Sequence, residues 1–334
     1  SYLYHYFISY ILNLIEYVFL KFEEKINTLI ADLGATNARL AIVNDFKDLV
    51  YKSSYKISNF KTLGDLLNHY LNEFNISREN LSGVLGVAAP IIGNEINFVN
   101  IDFSFNAKEM EKSYFPGGLR LFNDVQLQCY ALINYPKNKL KSVGNNKNFP
   151  QGPKILIVPG TGLGLSILIN GESIATEAGH LNIPNISDEI DHLLVDFKRE
   201  NKRIATFEDL LSGKGISYIY SFLSQDYDHN YSNEDILNNV TDNPFCDETK
   251  IFLIKIFAIF AKYTALIIGS SGGVFLAGSL SESLLKDDDF SGFRDIFQES
   301  KKMDKYLSNI PVFLISEKDL GYMGALEVCK NEII

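Results

Sequence analysis

The stretch Thr28-Leu-Ile-Ala-Asp-Leu-Gly-Ala-Thr-Asn-Ala-Arg-Leu-Ala-Ile-Val43 decides how the chain reads. Residues 28–31 and 39–43 are apolar runs of strand length, the first ending at Asp32. Between them, Asp32-Leu-Gly-Ala-Thr-Asn37 collects a carboxylate, a hydroxyl, an amide and backbone N–H groups in one turn. Gly34 is expected where the backbone approaches something closely or takes a positive φ. An ordinary hairpin turn would satisfy the strands alone. The collected polar groups also suit a polyphosphate with its metal ion.

The pattern recurs at Lys154-Ile-Leu-Ile-Val158, Pro159-Gly-Thr-Gly-Leu-Gly164 and Leu165-Ser-Ile-Leu-Ile169: strand, Gly/Thr turn, strand. Such an echo points to two similar α/β domain cores, each offering a phosphate-contacting turn toward a shared cleft. The glycines at 160, 162 and 164 are not a dinucleotide fingerprint, because the third falls one residue early and no helix follows. Gly213-Lys-Gly215 lacks the upstream glycine and the Ser or Thr of a Walker loop. A nucleotide is therefore expected on hairpin turns. A third glycine-rich turn, Ser270-Ser-Gly-Gly-Val-Phe-Leu-Ala-Gly278, surrounds a short strand and leaves room for a flat ring such as adenine.

Arg120-Leu-Phe-Asn-Asp-Val-Gln-Leu-Gln128 reads as a strand handing over to a helix at Asn123 and Asp124. Either residue type caps helices well. Either can also face a cleft, one as a proton acceptor and the other fixing a hydroxyl. Residues 96–100 form a strand-like piece delivering Asn100 to a loop. In Thr176-Glu-Ala-Gly-His180, Glu177 and His180 can converge on one ligand, although a lone His is often structural. Glu208 sits early in a helix expected over 206–224, where the dipole favours a carboxylate. Other helices are expected over 60–75, 106–113, 187–200 and 321–329, and strands over 81–89 and 311–315. Residues 136–153 read as a polar surface loop.

Composition excludes several classes. The 334 residues suit about two domains, with 46% hydrophobic and 22% charged residues. A net charge of −10 argues against a nucleic-acid partner. Three scattered cysteines, Cys129, Cys246 and Cys329, indicate neither a zinc site nor a disulfide framework, and fit reduced thiols in a cytoplasmic protein. The apolar run 251–268 carries Lys255 and Lys262, so a buried core helix is expected rather than a membrane span. Residues 2–20 are apolar and aromatic. A docked or surface-lying helix ranks ahead of membrane association there, and a segment outside the folded domain ranks third.

Taken together and in order, Asp32–Asn37, Leu121–Asp124, Gly160–Gly164, Glu177–His180, Glu208, Gly272–Gly278 and Gly321-Tyr-Met-Gly324 resemble bacterial-type glucokinase over residue 28 to the C-terminus. The resemblance implies a two-domain actin-like (ribonuclease-H-like) ATPase fold of α/β class with an interdomain cleft. Its divisions would be an N-terminal extension 1–26, a small α/β domain of 27–135 plus 318–334, and a large α/β domain of 136–317. It implies ATP-dependent phosphorylation of glucose to glucose 6-phosphate, with Asp124 as general base. Asn100, Asn123, Glu177, His180 and Glu208 would bind the sugar. Gly34, Ala35, Thr36, Asn37, Thr161, Gly162, Gly273 and Gly278 would hold ATP, and Asp32 would help to place Mg2+. Ala35 stands where the family usually has glycine, adding a methyl group to the phosphate turn, and Ser279 stands where glycine is common. The zinc motif of the related repressor–kinases is absent. Glucose and ATP are the expected partners, and a homodimer is compatible with the family. Two alternatives remain open at this point: a kinase of another hexose, and a catalytically silent sugar or nucleotide sensor on the same fold.

Overall fold

The computed structural model describes residues 27–34, 36–45, 47–99, 101–239, 242–285 and 291–331. The expected extension 1–26 and the site residues Ala35 and Asn100 lie outside these described residues. The chain divides into two compact units, Ser1–Asp124 with Ala325–Ile334, and Val125–Gly324.

In the first unit, β1 (Thr28–Leu33), β2 (Asn37–Val43) and β3 (Leu49–Lys56) form an antiparallel meander. Next come β4 (Ser82–Val87), a hairpin of β5 (Glu95–Asn97) and β6 (Ser104–Asn106), and β7 (Leu119–Asn123). The five-stranded order is β3-β2-β1-β4-β7, with β4 and β7 parallel to β1. Alternation along β1 sends Leu29, Ala31 and Leu33 into one apolar core. Helix Leu63–Glu73 contributes Leu63, Leu66, Leu67, Tyr70 and Leu71 to that core, an i, i+3, i+4, i+7, i+8 stripe. A capping box of Thr62 and Asp65 starts this helix. Each such fully buried side chain contributes about 1.5–3 kcal/mol.

The second unit repeats the plan. It comprises β8 (Lys141–Ser142), β9 (Lys154–Pro159), β10 (Leu163–Ile169), β11 (Glu172–Thr176), β12 (Gly273–Leu276) and β13 (Val312–Leu314). The order is β11-β10-β9-β12-β13-β8. As before, an antiparallel meander is followed by two strands parallel to its first member. The sequence echo between the two strand–turn–strand segments is thus an echo of sheet topology, with β8 added as an edge.

Helix Pro244–Ile268 is long and apolar enough to cross a membrane, but 61% of its most apolar window is buried inside the protein. Phe252, Leu253, Ile256, Phe257 and Phe260 supply much of the core. Lys262 is buried with them and donates to the Glu299 carbonyl at 2.9 Å, which gives the ammonium a hydrogen-bond partner. The helix expected over 206–224 is instead two, Phe207–Leu210 and Gly213–Ser224. Leu211 and Ser212 leave the helical region between them. Gly34 does not take a positive φ, and ordinary van der Waals space surrounds the position of a Cβ there.

Candidate active site

In the first unit, register places Leu33, Val87 and Asn123 side by side across the parallel strands β1, β4 and β7. The turn after β1 and the Asn123–Asp124 junction therefore share the carboxyl edge of one sheet, where ligands of open α/β sheets bind. Asp124 is the first residue of helix Asp124–Tyr130 and is half-buried. A carboxylate in a first turn is favoured by the helix dipole. The Asn123 side-chain amide lies 3.5 Å from the Ala89 carbonyl, a long donor contact. Helix capping and a functional role for the pair are compatible, since the strand ends at Asn123 and the helix begins at Asp124.

Asp32 lies opposite Arg39 in the β1–β2 ladder, and the two form an ion pair at 3.7 Å. Only 9% of Asp32 is exposed. Burial pushes its carboxyl up to about 6, with Arg39 pulling the other way. The turn itself is closed by the Gly34 N–H donating to the Asn37 carbonyl at 3.1 Å. The Ile57 N–H donates to the Thr36 carbonyl at 3.0 Å, and Thr36 and Asn37 are exposed.

In the second unit, β9, β12 and β13 run parallel, and their carboxyl ends place the Gly160–Gly162 turn beside Gly278. Gly278 has φ +89, and a Cβ there would meet the Pro159 carbonyl at 2.9 Å. Gly273 opens β12 at the opposite, amino end of the strand, against Phe275 and Pro311. Within this unit it therefore lies at the end of β12 away from Gly278. Thr161 is exposed on the turn.

Glu177, His180 and Glu208 meet. His180 Nε2 is 3.7 Å from Glu177 Oε2, and its Nδ1 is 4.0 Å from Glu208 Oε1. The Ala178–His180 turn brings this about because Gly179 passes against the Leu163 carbonyl, where any side chain would collide. Glu208 Oε2 accepts from the Leu163 N–H at 2.8 Å. Thus a carboxylate–imidazole–carboxylate set adjoins the glycine turn within one unit. It offers directed acceptors and donors of the kind sugar hydroxyls require.

Several contributors were not anticipated. A cavity of about 520 Å3 lies beside Gly160, walled by Gly213, Ile216, Asn233, Leu237 and Ser279. Helix Asn233–Asn238 forms part of it, and its start was legible as the Ser232-x-x-Asp235 capping box. The Gly213 N–H donates to the Gly160 carbonyl at 3.1 Å, so the Gly-Lys-Gly segment braces the turn without being a phosphate loop itself. Arg39 faces Asp32 only through strand register, which no local motif announces.

A family model described as Glucokinase matches residues 29–332. The glucokinase of Colwellia psychrerythraea is 27% identical over 318 residues, covering 91% of this chain and 96% of its own. That of Helicobacter pylori is 27% identical over 326 residues, covering 92% and 96%. Among solved structures, a glucokinase from an Antarctic psychrotroph aligns with a TM-score of 0.75 at 23% identity, over 92% of this chain and 99% of its own. The glucokinase from Balamuthia mandrillaris, solved in complex with glucose, aligns with a TM-score of 0.76 at 20% identity, over 92% and 94%. The ROK hexokinase from Thermus thermophilus shares the fold at a TM-score of 0.65. With the family match running from β1 through the last helix, this chain belongs to the glucokinase family.

Proposed function

We propose that this enzyme transfers the γ-phosphoryl group of ATP to the 6-hydroxyl of glucose, with Asp124 as general base. The observation that carries the sugar half is the meeting of Glu177, His180 and Glu208 beside the Gly160–Gly164 turn. The Asp32–Asn37 turn and Asp124 on one sheet edge support the phosphate half.

The Asp124 carboxylate orients the 6-hydroxyl and accepts its proton as the oxygen attacks Pγ. The new O–Pγ bond forms as the bond from Pγ to the β–γ bridging oxygen breaks, releasing ADP. Phosphoryl transfer has a loose transition state, so positioning and charge neutralisation supply most of the rate. A late proton transfer needs no large pKa shift in the base. Asn123 fixes a sugar hydroxyl, and Asn100 takes the same role. The N–H groups and side chains of the turns at Gly34, Ala35, Thr36 and Asn37, and at Thr161 and Gly162, take the phosphates. The cavity beside Gly160 and Gly278 suits the nucleoside.

Among the described residues, no cluster of three or more His, Cys, Asp or Glu side chains suits a metal. Magnesium is commonly held by one or two carboxylates together with substrate phosphates, so a single Asp32 fits that ion. Bound there, Mg2+ would neutralise phosphate charge. With a pKa near 6, Asp32 is mostly ionised at neutral pH. The three free, buried cysteines fit a cytoplasmic enzyme.

Glucose-dependent ADP release from Mg-ATP tests the reaction, and the same assay across a sugar panel tests the substrate. Release with mannose, fructose or an amino sugar at higher kcat/KM than glucose would redirect the substrate assignment. Binding of glucose and ATP without turnover would turn the reading to a sensor.

A further inference from the structure

We infer that Glu208, besides facing the sugar, is a positioning residue for the phosphate turn, so that nucleotide affinity depends on this carboxylate even before sugar binds. The inference rests on the functional reading above and deepens it.

The two oxygens of the side chain do different things. Oε1 faces His180 at 4.0 Å. Oε2 takes the Leu163 N–H at 2.8 Å, the residue immediately after Gly162. A Cβ built on Gly162 would stand 2.6 Å from Oε2 and 3.2 Å from the carboxyl carbon. The carboxylate therefore lies directly against the backbone of the turn, and Gly162 is the residue whose missing side chain makes room for it.

Glu208 is itself firmly anchored. Its helix, Phe207–Leu210, is opened by a capping box in which the Thr206 N–H donates to Asp209 Oδ2 at 2.8 Å. Arg203 grips both Asp209 oxygens with two N–H donors at 2.6 Å each. The Phe207 N–H donates to the Leu181 carbonyl at 3.0 Å, and its buried ring packs on Phe260 at 4.9 Å. The turn carries the exposed Thr161 and open space around Gly160, and it is held by the Gly160 N–H donating to the Gly162 carbonyl at 2.8 Å and by the Gly213 N–H on the Gly160 carbonyl; Glu208 fixes its far end at Leu163. A braced carboxylate bonded where the turn rejoins its strand fixes the direction of the adjacent amides, and preorganised donors bind phosphate with less ordering cost. One side chain thus couples the sugar-facing cluster to the phosphate turn, and any such coupling is reciprocal.

The test is titration of full-length protein with Mg-ADP in the absence of sugar. Glu208→Ala removes the acceptor and is expected to raise the Kd about tenfold, the effect of one hydrogen bond to a charged group. Glu208→Gln keeps an oxygen that can accept from Leu163 and is expected to stay within about threefold of wild type on the same scale. Gly162→Ala drives a methyl group toward Oε2 and is expected to weaken glucose binding measured without nucleotide, although residue 162 presents no polar side chain to a sugar. Unchanged Mg-ADP affinity in Glu208→Ala would overturn the inference, leaving Glu208 a sugar ligand only. Tighter binding in both Glu208 variants would also overturn it, since the carboxylate would then act by charge repulsion alone. Wild-type protein that binds no Mg-ADP would overturn the functional reading, and this inference with it.

Discussion

Replacing Asp32 with Asn removes a carboxylate that burial pushes up from its ordinary 3.8 to about 6, against the opposing pull of Arg39. At 1.36 kcal/mol for each pKa unit, the ionised, folded carboxylate costs about 3 kcal/mol. The direction follows from proton linkage. Well below the ordinary 3.8 the carboxyl is protonated in both the folded and unfolded chain, and nothing is lost. Between about 4 and 6 the folded form keeps a proton that the unfolded form has released, so stability falls as pH rises. Above 6 the loss is complete. Asn has nearly the same shape and never ionises, and Arg39 retains access to water because 39% of its side chain is exposed. Asp32→Asn is therefore expected to be more stable than wild type at pH 7.5 by up to about 3 kcal/mol, with most of that difference gone near pH 4. At roughly 2 °C per kcal/mol for a large chain, thermal unfolding should shift by up to about 6 °C. Hydrogen exchange at β1 amides localises the gain to the unit that holds the carboxyl. Kinase activity should fall in the same variant, because the acceptor proposed for the magnesium ion is gone. Equal melting temperatures at pH 7.5, or a difference that persists unchanged at pH 4, would refute the burial argument.

Asp124→Asn should lower kcat by about 10²–10⁴, the usual worth of a general base. Circular dichroism and glucose affinity should stay near wild type; retention of most turnover in the ADP-release assay would remove Asp124 from that role. Epimers of glucose should show kcat/KM lower by about two orders of magnitude or more, because a displaced hydroxyl leaves polar groups of the Glu177–His180–Glu208 cluster unpaired; equal values across the panel would contradict a directed site. Gly324→Ala places a methyl group onto the Leu127 carbonyl, a close approach between helix Leu320–Lys330 and the backbone of helix Asp124–Tyr130. Since backbone cannot move aside as a side-chain tip can, a loss of about 1–3 kcal/mol is expected in chemical denaturation, and a change below about 0.5 kcal/mol, the range of a neutral surface substitution, would show that the contact is loose.

Much of the molecule follows from local rules visible in the linear chain. The apolar runs at 28–33 and 154–158 are strands buried on both faces, which is why they read as continuous apolar runs of strand length. The polar residues gathered at Asp32–Asn37 and Asn123–Asp124 mark strand ends, and Thr62-x-x-Asp65 marks a helix start. The repeat of strand, glycine turn and strand announces two alike sheets, which β3-β2-β1-β4-β7 and β11-β10-β9-β12-β13 realise. What tertiary structure alone decided is pairing across distance. Arg39 meets Asp32 through antiparallel register, and Asn123 reaches the edge of the Asp32 turn through two parallel neighbours. Gly179 is required by the Leu163 carbonyl, and Gly162 by Glu208, residues far from them in sequence or of no motif in common. The break at Leu211–Ser212 is tied to Gly160 through the Gly213 amide. These contacts depend on which elements pack together, and the residue types at either end carry no mark of their partner. The residue types and turns were therefore set by the chain itself, whereas the register and close approaches that aim them at one another arose only with the packed sheets.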